Sequence, residues 1–329
     1  MNYRRGFLLG KFLPPHAGHK YLCDFAQCQC DELTILVCSI DAEPIPGRLR
    51  HEWMRREFPH ARVIHCDEDL PQEPADHPDF WNIWREACRR YHPESIDAVF
   101  ASEAYGQRLA EELGGQFVPV DIARSVVPVS GTALREAPYE NWNHLLPPAR
   151  TWFTRTVALH GPESTGKTTL AVRLAKALGT ICVPEFGRLY TEIFGVDCDA
   201  NDIRQIALGQ TAAIAAARPQ ARGLVISDTD SVMSAVWSDM LAGHRDELFS
   251  GEIAVSDFYF LMDIDAPWED DGTRYFSDST TRQLFFEKCK KELDQRNLPY
   301  QRLSGSWDEK FDQAMESLRE RYPLLVPGL

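Results

Sequence analysis

The chain has 329 residues, which suits two domains that each bury a core of their own. Apolar residues make up 44% and charged residues 26%, and no repeat or low-complexity tract occurs, so a disordered or fibrous chain is excluded. The formal charge of −14 argues against a nucleic acid partner. No apolar run reaches the roughly 18 to 20 residues of a membrane span, which argues against membrane insertion.

The nine cysteines form no C-x-x-C pair, and the N-terminus lacks a signal-peptide pattern. Reduced thiols and a cytoplasmic location are therefore expected. We expect Cys23, Cys38, Cys182 and Cys289 to be small buried side chains. The oligomeric state is not readable from the sequence, so a homo-oligomer stays open.

The first distinctive segment follows a short apolar strand pattern at residues 6–9. Residues 10–19 read GKFLPPHAGH and lead into an amphipathic helix. His16 and His19 are three positions apart, which places both imidazoles on one side of a helix N-terminus, a position that suits a polyphosphate. No third ligand at suitable spacing accompanies them, so zinc is disfavoured. The loop that we expect to bind nucleotide also contains Gly10, Lys11, Phe12 and Gly18.

A second segment follows two further strand patterns, at residues 33–37 and 98–101. Residues 127–135 read VPVSGTALR. Ser130 and Thr132, with Gly131 between them, can cap a helix whose N–H groups face an anion, and Arg135 lies in the first turns of that helix. This pattern is weak alone and becomes informative beside the histidine motif.

A stretch rich in Trp, Asn and Pro, residues 138–150, precedes another series of strand patterns at residues 156–159, 224–226 and 258–262. We therefore predict two domains, 1–150 and 151–329. Because strands alternate with helices in both, we expect an α/β fold of two doubly wound parallel sheets, a Rossmann-like domain followed by a P-loop domain.

The second domain opens with residues 161–168, GPESTGKT, which match the P-loop pattern G-x-x-x-x-G-K-[ST] between a strand and a helix. Lys167 would neutralise the phosphates of ATP, and the Thr168 hydroxyl would reach Mg²⁺. The other residues expected to hold the nucleotide are Gly161, Pro162, Glu163, Ser164, Thr165, Gly166 and Thr169.

Carboxylates and a loop complete the predicted kinase site. Asp228 follows the 224–226 strand and is the expected Mg²⁺ partner, whereas Asp230 could accept the proton of an attacking hydroxyl. Residues 265–274 have the composition of a mobile lid, from which Arg274 would reach the transferring phosphoryl group.

The His16 and Ser130 segments together resemble the nucleotidyltransferase superfamily, in which a substrate phosphate attacks the α-phosphate of ATP. Joined to a P-loop kinase in one chain, they resemble the NadR-type bifunctional proteins, nicotinamide-nucleotide adenylyltransferase fused to ribosylnicotinamide kinase. Residues 81–84, 101–103, 184–190, 227–230 and 267–274 extend the resemblance. It implies that nicotinamide riboside is phosphorylated to the mononucleotide, which is then adenylylated to NAD. Two ATP molecules would be consumed, with Mg²⁺ as the cofactor.

The resemblance also implies roles for individual residues. His16, His19, Lys11 and Arg135 would stabilise charge during adenylyl transfer. Trp81 would stack on the nicotinamide ring, although a tryptophan in an apolar helix is often simply core. The other residues expected near substrate are Ser102, Glu103, Glu185, Arg188, Asp230, Trp268 and Asp271. The kinase base stays open among Asp228, Asp230 and Glu185.

The chain departs from the repressor members of that family at its N-terminus. Its first strand begins within a few residues of Met1, which leaves no room for a helix-turn-helix, so no operator binding is expected. Two alternatives stay open: another pair of nucleotide substrates, or a protein that senses ATP or NAD without turnover.

Overall fold

The structure, a computed structural model, describes residues 3–243, 245–251, 253–265 and 275–326. The chain divides into two compact units, Met1–Arg150 and Thr151–Leu329. Within the described part of the chain, no helix is both long and apolar enough to cross a membrane. All nine cysteines are free thiols.

The first unit alternates strands with helices. Its strands are β1 (Tyr3–Gly10), β2 (Cys30–Cys38), β3 (Arg62–Cys66), β4 (Ala98–Ala101) and β5 (Gln116–Pro119). Its helices are α1 (Ala17–Gln29), α2 (Gly47–Glu57), α3 (Phe80–Tyr91), α4 (Tyr105–Leu113) and α5 (Gly131–Glu136), and α6 (Pro147–Phe153) runs across the unit boundary.

The five strands of the first unit form one parallel sheet in the order β3-β2-β1-β4-β5. Two apolar clusters fill the space between sheet and helices, one centred on Phe7 and Trp84 and the other on Leu8 and Phe100. Since β1 pairs with β2 on one side and β4 on the other, the strand order reverses beside β1. Open α/β sheets bind ligands at the carboxyl ends of strands at such a reversal.

The second unit repeats this plan. Its strands are β6 (Arg155–His160), β7 (Ile181–Val183), β8 (Leu224–Ser227), β9 (Phe258–Met262) and β10 (Tyr300–Leu303). Its helices are α7 (Lys167–Leu178), α8 (Phe186–Phe194), α9 (Ala200–Ala217), α10 (Ser231–Trp237), α11 (Glu247–Ser250), α12 (Ser279–Gln295) and α13 (Trp307–Arg321). The strands form a parallel sheet in the order β10-β9-β6-β8-β7.

The predicted fold class is confirmed, since both sheets are parallel and alternate with helices. In the segment before residue 150, Trp142 and Leu145 are buried, and Pro147 starts a helix, a position where the missing N–H of proline costs no hydrogen bond. One detail differs from expectation. Cys182 is only half-buried because it lies on the edge strand β7.

Candidate functional site

The first unit contains a cavity of about 620 Å³ at the carboxyl ends of β1 and β4. Every residue predicted for the adenylyl-transfer site lines it, although the two motifs lie more than a hundred positions apart. These residues are Gly10, Lys11, Phe12, His16, Gly18, His19, Trp81, Ser102, Glu103, Ser130, Gly131, Thr132 and Arg135.

The two histidines lie face to face at the start of α1. Their ring centroids are 3.7 Å apart, and the His19 ring also meets the edge of Phe12 at 4.8 Å. His16 is the N-cap of the helix, and its Nδ1 accepts the Gly18 N–H at 3.1 Å. A Cβ on Gly18 would lie 3.0 Å from the His16 ring, so glycine allows this close approach.

Both imidazoles are neutral at physiological pH. Burial, assisted by the positive charge of Arg124, lowers the pKa of His16 from 6.5 to about 4. Burial, followed by the neighbouring His16, lowers the pKa of His19 well below its ordinary value. Because Nδ1 of neutral His16 accepts a hydrogen bond, its proton lies on Nε2, which makes this nitrogen a donor.

The second motif joins the first through the backbone of residue 13. The Arg135 guanidinium donates to the Leu13 carbonyl at 2.6 Å and to the Thr132 hydroxyl at 3.1 Å. Ser130 caps α5 by accepting the Ala133 N–H at 3.2 Å. A Cβ on Gly131 would lie 2.8 Å from the Leu13 carbonyl oxygen, so the two loops meet where only glycine fits.

A buried ion pair supports Lys11. The Arg50 side chain is fully buried and donates to the carbonyls of Ile45 (3.0 Å), Cys38 (3.4 Å) and Lys11, and to the Glu43 carboxylate. The second carboxylate oxygen of Glu43 lies 3.3 Å from the Lys11 ammonium. Arg50 therefore fixes the backbone of Lys11, and the Glu43 carboxylate forms an ion pair with the Lys11 ammonium. The sequence interpretation missed both residues, which lie outside the two motifs.

Arg124 is another residue that the sequence interpretation missed. It lines the same cavity, lies near both histidines and forms an ion pair with Glu103 at 3.4 Å. Its loop is ordered by Asp121, whose carboxylate accepts the N–H groups of residues 125–127. The site thus has a further cation in its lining, which is paired with a carboxylate.

The second unit contains a cavity of about 420 Å³ beside the P-loop. The predicted residues that line it are Glu163, Ser164, Thr165, Gly166, Lys167, Thr168, Thr169, Glu185 and Arg188. Gly161 and Pro162 contribute their carbonyl oxygens, which accept the Lys167 ammonium at 2.9 and 2.7 Å. The lysine therefore folds back over its own loop, where phosphate oxygens can replace the carbonyls.

The glycines of the P-loop are required by close contacts. Gly166 has a φ of 83°, and a Cβ there would lie 1.7 Å from the Trp307 ring. Gly161 has a φ of 138° and passes so near β9 that a Cβ would lie 2.9 Å from the Met262 carbonyl oxygen. The loop can hold this shape only with glycine at both positions.

Asp228 directly follows β8; it is 1% exposed and does not itself line the cavity. Burial, and then the negative charge of Glu185, raises its pKa to about 7. Neither oxygen has a hydrogen-bond partner in the described structure, although the Thr168 hydroxyl lies near enough to lower the pKa. An unsatisfied buried carboxylate beside a P-loop threonine has the oxygen donors that Mg²⁺ prefers.

The predicted proton acceptor Asp230 is surrounded by hydrogen-bond donors of its own unit. Its Oδ1 caps α10 by accepting the Val232 N–H, and its Oδ2 accepts the Ser256 N–H and the hydroxyls of Ser256 and Tyr259. Only 2% of the residue is exposed, and it does not line the cavity. These bonds give Asp230 a structural role, and its part in proton transfer stays a prediction.

The far side of this cavity was not predicted. Trp237 and Tyr275 line it, with their ring centroids 5.5 Å apart, together with the aliphatic side chains of Ile203, Ile206 and Leu241. These residues come from α9, α10, the π-helical turn Ser238–Ala242 that follows α10, and the segment before α12. The predicted lid residues Trp268, Asp271 and Arg274 lie outside the described residues.

Gln210 ties the two carboxylate-bearing segments together. It is buried, accepts the Phe186 N–H at 2.7 Å, and donates to the Ser227 hydroxyl at 3.1 Å and the Thr229 carbonyl at 3.4 Å. Thr229 has a φ of 150°, a conformation that a β-branched residue adopts only under constraint. Gln210 thus sets the relative positions of Glu185, just before Phe186, and Asp228.

In the part of the chain that is described, no group of three or more His, Cys, Asp or Glu residues could hold a metal ion.

Comparisons with known proteins agree with this geometry. Residues 156–310 match a family model described as an AAA domain. The trifunctional NAD biosynthesis/regulator protein NadR of Escherichia coli (strain K12) is 29% identical over 342 residues, which cover 96% of this chain and 82% of that protein.

Two solved structures of NadR protein share the fold. One, in complex with NR, is 21% identical with a TM-score of 0.73 and covers 100% of this chain and 97% of that chain. The other, in complex with NAD and AMP-PNP, is 22% identical with a TM-score of 0.71 and covers 97% and 96%.

The two parallel sheets and the match to an AAA domain define a protein with two α/β domains, the second a nucleotide-binding domain of P-loop type. The predicted resemblance to the NadR-type proteins is confirmed, and it extends over nearly the whole chain.

Proposed function

We propose that this chain is a bifunctional NAD salvage enzyme. Its second unit would phosphorylate nicotinamide riboside to the mononucleotide, and its first unit would adenylylate the mononucleotide to NAD with release of pyrophosphate. The observation that carries the proposal is that each unit has a cavity of its own, lined by the loop that its sequence predicts to bind phosphate. The names of the similar proteins support the same reaction pair.

Adenylyl transfer would take place in the first cavity. A phosphate oxygen of the mononucleotide attacks the α-phosphorus of ATP, and the bond to pyrophosphate breaks. An ionised phosphate needs no base, so the protein must orient the reactants and stabilise the developing charge. Neutral His16 and His19, with Lys11 and Arg135, surround the cavity with donors suited to that task.

Phosphoryl transfer would take place in the second cavity. The P-loop and Lys167 would hold ATP, and a hydroxyl of the riboside would attack the γ-phosphorus while the bond from that phosphorus to the leaving ADP breaks. Asp228, Asp230 and Glu185 stay the candidates to accept the hydroxyl proton, and the internal hydrogen bonds of Asp230 favour the other two. The aromatic pair Trp237 and Tyr275 suits a planar, positively charged nicotinamide ring, because aromatic faces attract cations.

Mg²⁺ is part of the proposal because the donor set fits it. Thr168 and Asp228 would hold the ion, which would neutralise charge on the phosphates during transfer. Burial and the charge of Glu185 raise the pKa of Asp228, and a bound cation would oppose this effect by favouring the ionised carboxylate.

Separate assays of the two half-reactions test the proposal. Lys167→Ala should reduce riboside phosphorylation about a hundredfold or more and leave mononucleotide adenylylation nearly unchanged; His19→Ala should do the reverse. Lys176→Ala and His60→Ala, which change exposed residues of the same type, are matched controls that should change neither activity. No turnover of nicotinamide mononucleotide by the unmodified protein would contradict the substrate assignment.

The same assays separate the alternatives. Pyrophosphate release with another phosphate ester, but not with nicotinamide mononucleotide, would favour a different nucleotide pair. Binding without turnover at either site would favour a sensor. The absence of nucleic acid binding and the cytoplasmic location stay predictions; retarded migration of a specific DNA fragment at physiological salt would contradict the first.

A further inference from the structure

One residue of the P-loop makes contacts that phosphate binding does not explain. Glu163 is the third residue of the loop and is 8% exposed. Its carboxylate accepts the backbone N–H of Tyr275 at 3.0 and 3.1 Å and that of Phe276 at 2.6 Å. A carboxylate offers a triphosphate neither an N–H donor nor a positive charge, so phosphate binding does not explain its place in the loop.

Of the two residues that Glu163 holds, Tyr275 lines the cavity and Phe276 packs against Trp237, which also lines it. The Tyr275 ring lines the cavity beside Trp237, and its hydroxyl donates to the Val196 carbonyl. The Phe276 ring stacks on Trp237 at 6.1 Å and meets Phe285 edge-on at 5.8 Å. Fixing two consecutive N–H groups therefore fixes the plane and depth of the aromatic wall.

We propose that Glu163 is a positioning residue for the phosphate acceptor. From within the ATP-binding loop, it holds the backbone of residues 275 and 276 so that Tyr275 and Trp237 are placed to pack against the base of the riboside. This inference rests on the proposed kinase function and adds a residue to its acceptor site. Hydrogen bonds to a charged acceptor are among the stronger ones in proteins, so a single side chain is sufficient to hold this segment.

The test compares Michaelis constants for the two kinase substrates in the full chain. Glu163→Ala should raise the KM for nicotinamide riboside about tenfold, equivalent to about 1.4 kcal/mol, and change the KM for ATP by no more than about twofold. Glu163→Gln keeps one acceptor oxygen of similar shape and should have a smaller effect of the same kind. Asp278→Ala is the matched control. Asp278 is the N-cap of α12, three residues from Tyr275, and its carboxylate also accepts a backbone N–H, so removing it should leave both Michaelis constants unchanged.

A second set of variants asks whether Glu163 acts through the aromatic wall. In a Tyr275→Ala background, Glu163→Ala should cause little further rise in the riboside KM, because the ring that it positions is gone. An equal rise in both backgrounds, an equal rise in the KM for ATP, or no change in either constant would overturn the inference. If Glu163→Ala does not fold, the same comparison with Glu163→Gln decides.

The outcome is distinguishable from failure of the proposed function. If the unmodified protein does not phosphorylate nicotinamide riboside, the function assigned above is wrong. The role of Glu163 is then measured with whichever nucleoside the kinase accepts, since the wall that it holds borders the acceptor side of the cavity.

Discussion

Replacing Arg50 by methionine should destabilise the first unit by about 3 kcal/mol. The change removes a fully buried guanidinium that serves three carbonyls and leaves Glu43, whose side chain is 7% exposed, without its principal partner. Breaking a buried ion pair on one side costs about 3 to 5 kcal/mol. We expect the lower figure because Lys11 still lies 3.3 Å from Glu43. A loss of this size is a large part of the about 5 to 15 kcal/mol that stabilises a typical domain.

Hydrogen exchange measured by mass spectrometry reports each unit separately. About 3 kcal/mol corresponds to about a hundredfold loss of amide protection, which should appear in β1 and β2 and leave β6 and β8 unchanged. Adding Glu43→Gln to Arg50→Met should restore part of the protection, since the buried charge is then removed. The importance given to this pair would be refuted if Arg50→Met lowered the free energy of unfolding by less than about 1 kcal/mol. It would also be refuted if the double variant lost as much stability as the two single variants added together.

Three further predictions follow from the geometry of the sites. The pKa of His16 is about 4 in the folded protein and 6.5 in the unfolded chain, so the unfolded chain binds the proton more tightly. The free energy of unfolding should therefore fall as the pH drops from 6.5 to 4, by at most about 3 kcal/mol. In urea titrations the free energy of unfolding of His16→Asn should vary less with pH over this range, and the same pH dependence as the parent would contradict the shift. Gly166→Ala should abolish phosphorylation because a Cβ would meet Trp307, whereas Gly179→Ala, also at positive φ but with nothing within 4 Å, should keep it in the same kinase assay. Gly131→Ala should reduce adenylylation at least about tenfold by separating Arg135 from the Leu13 carbonyl; equal pyrophosphate release by variant and parent would show that this contact is dispensable.

The central strands of both sheets could be predicted from the sequence, and the edge strands could not. The apolar runs at residues 6–9, 33–37, 98–101, 156–159, 224–226 and 258–262 correspond to β1, β2, β4, β6, β8 and β9, which are paired on both sides. The missed strands β3, β5, β7 and β10 are the four edges. An edge strand is partly exposed, so it needs fewer apolar residues, and its pattern resembles a loop.

The same contrast applies to the sites. Phosphate loops could be predicted because their glycines and cations are contiguous in the chain, as in residues 161–168. Trp237 and Tyr275 could not be predicted, because each comes from a separate element and neither lies in a recognisable motif. Asp230 also has partners that the motif did not indicate: the hydroxyls of Ser256 and Tyr259, distant in sequence, donate to its carboxylate. A short motif does not show which of its carboxylates is bonded inside the unit.

This difference has a physical origin in what each half of a site must recognise. A triphosphate presents many equivalent charged oxygens, and a turn with free N–H groups at a helix N-terminus binds them whatever the rest of the ligand is. The acceptor has few distinguishing groups, so its pocket must be shaped by side chains from several elements held at fixed distances. Gln210 and Glu163 supply that constraint here, the first by joining α8 to the end of β8 and the second by joining the P-loop to Tyr275. Substrate choice in the second unit should therefore respond more to these two buried polar residues than to changes in the P-loop glycines, which would remove activity towards every acceptor alike.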